Sequence, residues 1–283
     1  ALPLLAYATE HLTRGHPRRM LLFLFLALMC KEELALTVIA FGLVLMLFPR
    51  TAGPMSAMKS TVPRRQRGLM LAMSGLFLFI LLTGWILPFF RQAPFPYVDR
   101  YSNLGGSLQE LALTALTNPI RVLAEIGGPE KHIYSQGLFS PVLYLNWLNP
   151  SSVLLMLPTL ARSLLSDYEP QSLLRYHFHG PLIPFVFFGL AAGLRWLVHR
   201  RWPGDESGAH CRSFRRARLQ FLLLLLFFFG IVRGSQPASM WKRAQEGLER
   251  RPAFERLLVQ IPPAASVCVH NHRVAQVSNR REV

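Results

Sequence analysis

Three adjacent ionisable residues, Lys31, Glu32 and Glu33, interrupt an otherwise apolar stretch from Met20 to Phe48. Charged groups between apolar segments cost several kcal/mol unless they are paired or hydrated, so their presence asks for a reason. One reason is chemical: Lys31 can hold a phosphate, and Glu32 or Glu33 can pair with it or orient an acceptor. The other is a hydrated turn between two helices. A second constellation, Tyr176-His177-Phe178-His179, stands just before an apolar segment that opens at Pro181. Histidine can act there as acid, base or phosphate donor. In extended backbone His177 and His179 would share a face and suit a divalent metal, but no third ligand is legible and no metal or other cofactor is assigned. Tyr97, Asp99, Arg100 and Tyr101 combine stacking faces, a carboxylate and a guanidinium, as a sugar-phosphate site would and as an ordinary membrane interface also does.

Other polar residues have simpler explanations. Glu110 completes a capping box with Ser107 at the start of a helix. His270 and His272 repeat the H-x-H spacing in the C-terminal tail and read as surface histidines. No P-loop, dinucleotide-binding, nucleophile-elbow or zincin motif occurs.

The elements that must position these residues are helices in a membrane. The chain is 51% hydrophobic and only 16% charged, and its apolar residues cluster in long runs. The formal charge of +16 resides mainly in short connections between those runs, which is the pattern of cytoplasmic loops and not of a nucleic-acid surface. Cys30, Cys211 and Cys268 form no legible disulfide framework.

By the positive-inside rule, Met20–Phe48 reads as a hairpin turning at the charged triplet, or as one long helix carrying charges within the bilayer. Met20 to Cys30 rises only about 16 Å as a helix, a half-span. Residues 68–90 read as a span with Trp85 near its outer end. Residues 91–180 form an outer region with two helices along the membrane surface, one opening at Ser107 and ending at Asn118-Pro119, the next broken at Gly127-Gly128-Pro129. Leu138–Leu148 and Val153–Leu165 read as the arms of a re-entrant hairpin joined at Asn149-Pro150. Pro181–Val198 crosses inward and Leu219–Val232 returns. The expected class is an all-α polytopic protein of the cell membrane occupying residues 1–233. A polar outer tail, 234–283, opens a small α/β unit with a strand at Val267–Val269 and a helix at Asn271–Val277. Ala1–Tyr7 reads as the tail of an apolar helix, as expected for a fragment lacking N-terminal helices.

Several pieces, in this order and spacing, resemble a family of uncharacterised bacterial and archaeal predicted membrane proteins, a domain of unknown function grouped with GT-C-type glycosyltransferases. They are Lys31-Glu32-Glu33 after an apolar run, Tyr101 to Gly106 before an amphipathic helix, Leu157-Pro158 leading to Leu165-Ser166, His177 to Pro184, Ile261-Pro262 to Ser266-Val267, and Ser278-Asn279-Arg280. Glu33 stands where the family pattern has Asp, Phe178 where Tyr follows His, and Ala264 where an acid is common. The resemblance implies a GT-C-like helical bundle in which a sugar passes from a polyprenyl-phosphate donor to an envelope acceptor at an outer site. It also implies that the principal catalytic acid precedes residue 1, leaving Glu32, Glu33 and His177 as the catalytic candidates here. Lys31, Tyr97, Asp99, Arg100 and His179 would then contact donor or acceptor. The competing reading is a non-catalytic polytopic protein, a transporter of lipid-linked or small polar substrates or an envelope assembly partner.

Overall fold

The computed structural model describes residues 1–48, 62–92, 97–199 and 209–234, with isolated positions at 245, 252 and 256. All regular structure among the described residues is helical. The strand and helix expected at Val267–Val269 and Asn271–Val277 lie outside them. The chain divides into two compact units, Ala1–Gly234 and Ser235–Val283, and the helices from Leu2 to Gly234 belong to the first.

Helix α1 (Leu2–Thr13) ends where Gly15 takes φ 72°. His16 N–H then bonds to His11 O at 2.9 Å and Gly15 N–H to Leu12 O at 3.2 Å, which closes the last turn and reverses the chain. Pro17, which needs no N–H partner in a first turn, opens α2 (Pro17–Cys30) directly afterwards.

Lys31 is extended (φ −163°, ψ 130°) and ends α2; the carbonyls of Lys31, Glu32 and Glu33 accept from Leu34, Ala35 and Leu36 as α3 (Leu34–Leu47) begins. The triplet therefore separates two helices and is not carried inside one. Three consecutive charged residues in a single helix would spread across most of its circumference. With the break, both acids stand at a helix N-terminus, where the macrodipole favours negative charge. The two arms do not form the expected mutual hairpin: α2 packs on α1, whereas α3 packs on α4 (Arg64–Leu81), and α2 touches α3 only slightly.

Small residues cause the α3–α4 pairing. A Cβ at Gly42 would lie 2.4 Å from Ala72 N and 2.6 Å from Gly68 O, so the backbones approach as closely as glycine permits. Helix α4 continues through a π-turn (Leu82–Ile86) into α5 (Leu87–Arg91). Pro88 has no N–H for the preceding turn, and the widened turn takes up the mismatch.

Ser107 opens α6 (Leu108–Thr117) by accepting from Glu110 N at 3.1 Å, while the Glu110 carboxylate reaches back to Gly106 N at 2.8 Å, one residue earlier than in the usual capping box. Asn118 ends α6 and caps α7 (Pro119–Ile126). After Gly128 a third helix, α8 (Pro129–Phe139), follows, one more than expected for this region. The run Leu138–Leu148 is not a helical arm: Pro141 interrupts it, Leu143 and Tyr144 take positive φ, and two short 3-10 turns, Ser140–Val142 and Leu145–Leu148, replace it. Asn149 then caps α9 (Pro150–Leu165). A 3-10 turn, His177–Leu182, leads into α10 (Ile183–His199), and α11 (Ala209–Gly234) closes the unit.

Among the described residues two stretches are long and apolar enough to cross a bilayer, Arg64–Arg91 with mean hydropathy 2.2 and His177–His199 with 1.7; Leu34–Leu47, Pro150–Leu165 and Ala217–Gly230 are shorter apolar helices.

Candidate functional site

Helix α9 carries two stripes. Ser152, Leu155, Met156, Thr159, Leu160 and Ser163 are buried on one side, and Leu154, Leu157, Pro158, Ala161, Arg162 and Leu165 line a groove on the other. That second set follows helical spacing, so the register that buries the first stripe also brings Arg162 to the groove. On α3 the same logic aligns Glu33, Leu36, Ala40 and Leu43 along the opposite wall. Phe79 of α4 and Leu111 of α6 complete the apolar sides, and Tyr97 and Tyr101 line the groove together with Glu33 and Arg162. The cavity measures about 420 Å³.

Its polar end is built around Glu33. The carboxylate pairs with Lys31 at 2.9 Å and with the guanidinium of Arg162. Arg162 also donates to the Phe178 carbonyl at 2.7 Å, and its Nε–H is buried with no acceptor among the described residues. The side chains of Arg162 and Glu33 are only 9% and 15% exposed, so this ion pair is held in a low-dielectric setting where loss of either partner is costly.

Arg100 approaches from the 3-10 turn Val98–Tyr101. Its guanidinium lies 4.3 Å from the Tyr97 ring and 4.9 Å from Tyr168. Phe178 collects all three cations: Lys31 Nζ at 5.8 Å, Arg100 at 5.8 Å and Arg162 at 6.0 Å from its ring centre. Each contact is a favourable cation–π geometry. Like charges brought to one ring nevertheless repel, and Glu33 with the nearby Glu32 offsets only two of the three. The cluster around Phe178 thus has one cation in excess over these two carboxylates, which a singly charged anion would balance.

A buried Gln171 holds the loops in place. Its Nε2 donates to Arg162 O at 2.9 Å and to the Tyr101 hydroxyl at 3.4 Å, and its Oε1 accepts from Arg100 at 3.4 Å and Ser166 at 3.3 Å. Asp167 pins the following turn, accepting from Ser102 Oγ at 2.9 Å and Asn103 N at 2.8 Å. Burial raises the Tyr101 phenol above its ordinary value, so it stays a neutral donor or acceptor here. Burial, then repulsion from Arg162, brings the Lys31 ammonium down to about 8; Glu32 opposes this and Arg100 adds to it.

Of the residues singled out from sequence, Lys31, Glu33, Tyr97 and Arg100 converge, with Glu32 close enough for its charge to act on Lys31. His177 is exposed at the rim, stacked on Phe178 at 4.7 Å. His177 and His179 stand in a 3-10 turn and not in extended backbone, so they do not share the face that metal binding needs. Asp99 is exposed and does not line the groove. Among the described residues no group of three or more His, Cys, Asp or Glu side chains is placed to hold a metal ion.

Sequence reasoning missed Arg162, Gln171, Tyr168 and Asp167. Arg162 was within reach of it, as the one charge in the apolar run Val153–Leu165, by the same argument that drew attention to Lys31. Gln171 and Asp167 had no such signal, because their partners lie in segments distant along the chain.

A family model described as predicted membrane protein (DUF2079) matches residues 1–283. The chain belongs to that family. The match bears out the resemblance to a family of predicted membrane proteins of unknown function. No curated protein and no solved structure matches the chain significantly. For a DUF2079 member, long apolar helices in the same unit as a partly exposed cation cluster are what a site at a membrane would require.

Proposed function

We propose that this DUF2079 protein is a multi-pass protein of the cell membrane that binds a polyprenyl-phosphate sugar and passes the sugar to an envelope acceptor in the manner of GT-C-type glycosyltransferases. The observation that carries this reading is the apolar groove whose lining includes Glu33 and Arg162, with Arg162 joining Lys31 and Arg100 around the adjoining Phe178 ring. A lipid-linked phosphodiester has the same two parts, an apolar tail and a single negative charge. The tail would occupy the walls formed by α3, α4, α6 and α9, and the phosphate would sit among Lys31, Arg100 and Arg162, taking the free Nε–H of Arg162 as a donor.

In the transfer step an acceptor hydroxyl attacks the anomeric carbon, the bond from that carbon to the phosphate oxygen breaks, and the hydroxyl proton goes to a carboxylate. Polyprenyl phosphate leaves with an added negative charge, which the three cations would stabilise. Glu33 is already paired with two cations, and its role is to position Lys31 and Arg162. Glu32 is the freer carboxylate, and His177 stands at the rim for proton transfer with the acceptor.

The full chain in liposomes, supplied with labelled polyprenyl-phosphate sugars, should transfer sugar, and Lys31→Ala should lower transfer about tenfold or more, the loss of one hydrogen bond to a charged group. No transfer with any donor would sink the enzyme reading, and flux of the lipid-linked sugar across the vesicle without turnover would replace it with a transporter using the same groove.

The site should also respond to pH in one direction. An anion beside Lys31 favours the ammonium form and raises its pKa above the free value of about 8. Affinity is then full below about pH 8 and falls as the pH rises through that value, because binding must recruit a proton. Titrating the affinity for a long-chain phosphodiester from neutral to alkaline pH checks this. An affinity that stays level in the natural chain, or that falls equally in Lys31→Arg, would rule out Lys31 as the group responsible.

A further inference from the structure

We propose that α6 and α7 form a membrane-docking surface lying in the plane of the bilayer, seated where headgroups meet acyl chains. The inference does not depend on the substrate reading above. The two helices are 10 and 8 residues long, about 15 and 12 Å, against about 30 Å for a bilayer core, so neither can cross. They nevertheless expose large apolar side chains in close succession: Leu113 and Leu116 on α6, Ile120 and Leu123 on α7, with Leu116 84% and Ile120 79% exposed. Water-facing surfaces rarely gather such side chains without a partner.

The remaining contacts of these helices are already used. Ile126 packs against the core and the Arg121 guanidinium donates to the Asn103 carbonyl, fixing α7 to the body of the protein. At the bend, Asn118 Oδ1 accepts from Arg121 N at 3.2 Å and Thr117 Oγ1 donates to Leu113 O at 2.8 Å. Side chains thus supply hydrogen bonds where the helix ends would otherwise need water, which suits backbone placed at the edge of hydrocarbon.

The occupant is lipid and not another protein surface because α6 shares a groove with the helix Arg64–Arg91, which is long and apolar enough to cross a bilayer. That helix ends in Trp85, Phe89 and Phe90, all strongly exposed, as an aromatic belt at headgroup level would be. Phe79 of the same helix and Leu111 of α6 face one groove, so α6 adjoins the surface that would meet lipid. Arg91 and Arg121 are exposed on these elements and supply positive charge for phosphate headgroups.

The test places a nitroxide label on the full chain in vesicles of phosphatidylcholine and phosphatidylglycerol. A background with Cys30→Ser, Cys211→Ser and Cys268→Ser carries Leu116→Cys or Ile120→Cys, with Glu130→Cys at an exposed position of α8 as the reference. At positions 116 and 120 collisions with oxygen should be frequent and collisions with a water-soluble nickel chelate rare, while the reference shows the reverse. Free access of nickel to positions 116 and 120 would mean that the face lies in water, and exclusion of both reagents would mean that protein covers it; either overturns the proposal. If the cysteine-free chain does not reconstitute, Leu116→Trp in the natural chain, read by added quenching from dibrominated lipid, decides the same question, and no added quenching rejects it.

Discussion

Arg162→Leu is expected to destabilise the folded unit by about 3–5 kcal/mol, the range for breaking a buried ion pair by removing one partner. The guanidinium ties together elements distant in sequence: Glu33 at the start of α3 and the Phe178 carbonyl at the entry to α10. Leucine keeps much of the volume but leaves Glu33 facing Lys31 alone, and it leaves the Phe178 carbonyl without that donor. Thermal unfolding in detergent micelles should show the loss as a lowered Tm. The double substitution Glu33→Gln with Arg162→Leu should recover a good part of the stability, since it removes the stranded charge as well as its partner. Ligand affinity should not recover, because one of the three cations around Phe178 is still missing. An Arg162→Leu protein as stable as the natural one would show that this pair is not a structural tie.

The second large effect concerns helix packing. Gly42→Ala should cost about 3 kcal/mol or more, at the upper end of overpacking penalties, because its methyl would meet backbone and not a movable side chain. The added Cβ would lie 2.4 Å from Ala72 N and 2.8 Å from Ala72 Cα, so α3 and α4 would have to separate. Both helices wall the groove, and separation would disturb the site as well as the fold. Gly84→Ala supplies the contrast: among the described residues nothing lies within 4 Å of its added Cβ, and alanine's greater helix propensity makes the change neutral or stabilising by up to about 1 kcal/mol. Melting the two variants side by side separates close approach from a general effect of replacing glycine. Equal Tm values would remove the close-packing explanation of the α3–α4 pair.

How much of the site was legible from sequence depends on how local its cause is. Lys31 and Glu33 were visible because charge inside an apolar run is costly wherever the chain goes. Tyr97 and Arg100 were visible as a mixed aromatic and cationic group, but nothing in their spacing showed that Arg100 would stack on Tyr168 or meet Phe178. A shared face for His177 and His179 was conditional on an extended backbone, and the segment is a 3-10 turn instead. The expected helical arm at Leu138–Leu148 followed hydropathy alone and gave too little weight to Pro141.

Local chemistry written in the sequence determined the helices, their caps and their ends: Gly15 with Pro17, the break at Lys31, Ser107 with Glu110, and Asn118. Each of these depends on backbone hydrogen bonds between residues a few positions apart, which residue type and spacing control directly. Only the tertiary structure decided which helices pair and which charges meet. The partnership of α3 with α4 rests on close approach at Gly42, and the gathering of Lys31, Arg100 and Arg162 around Phe178 rests on a buried Gln171 and an ion pair spanning residues 33 and 162. Those contacts join segments whose separation along the chain carries no geometric information, so only packing in three dimensions could select them.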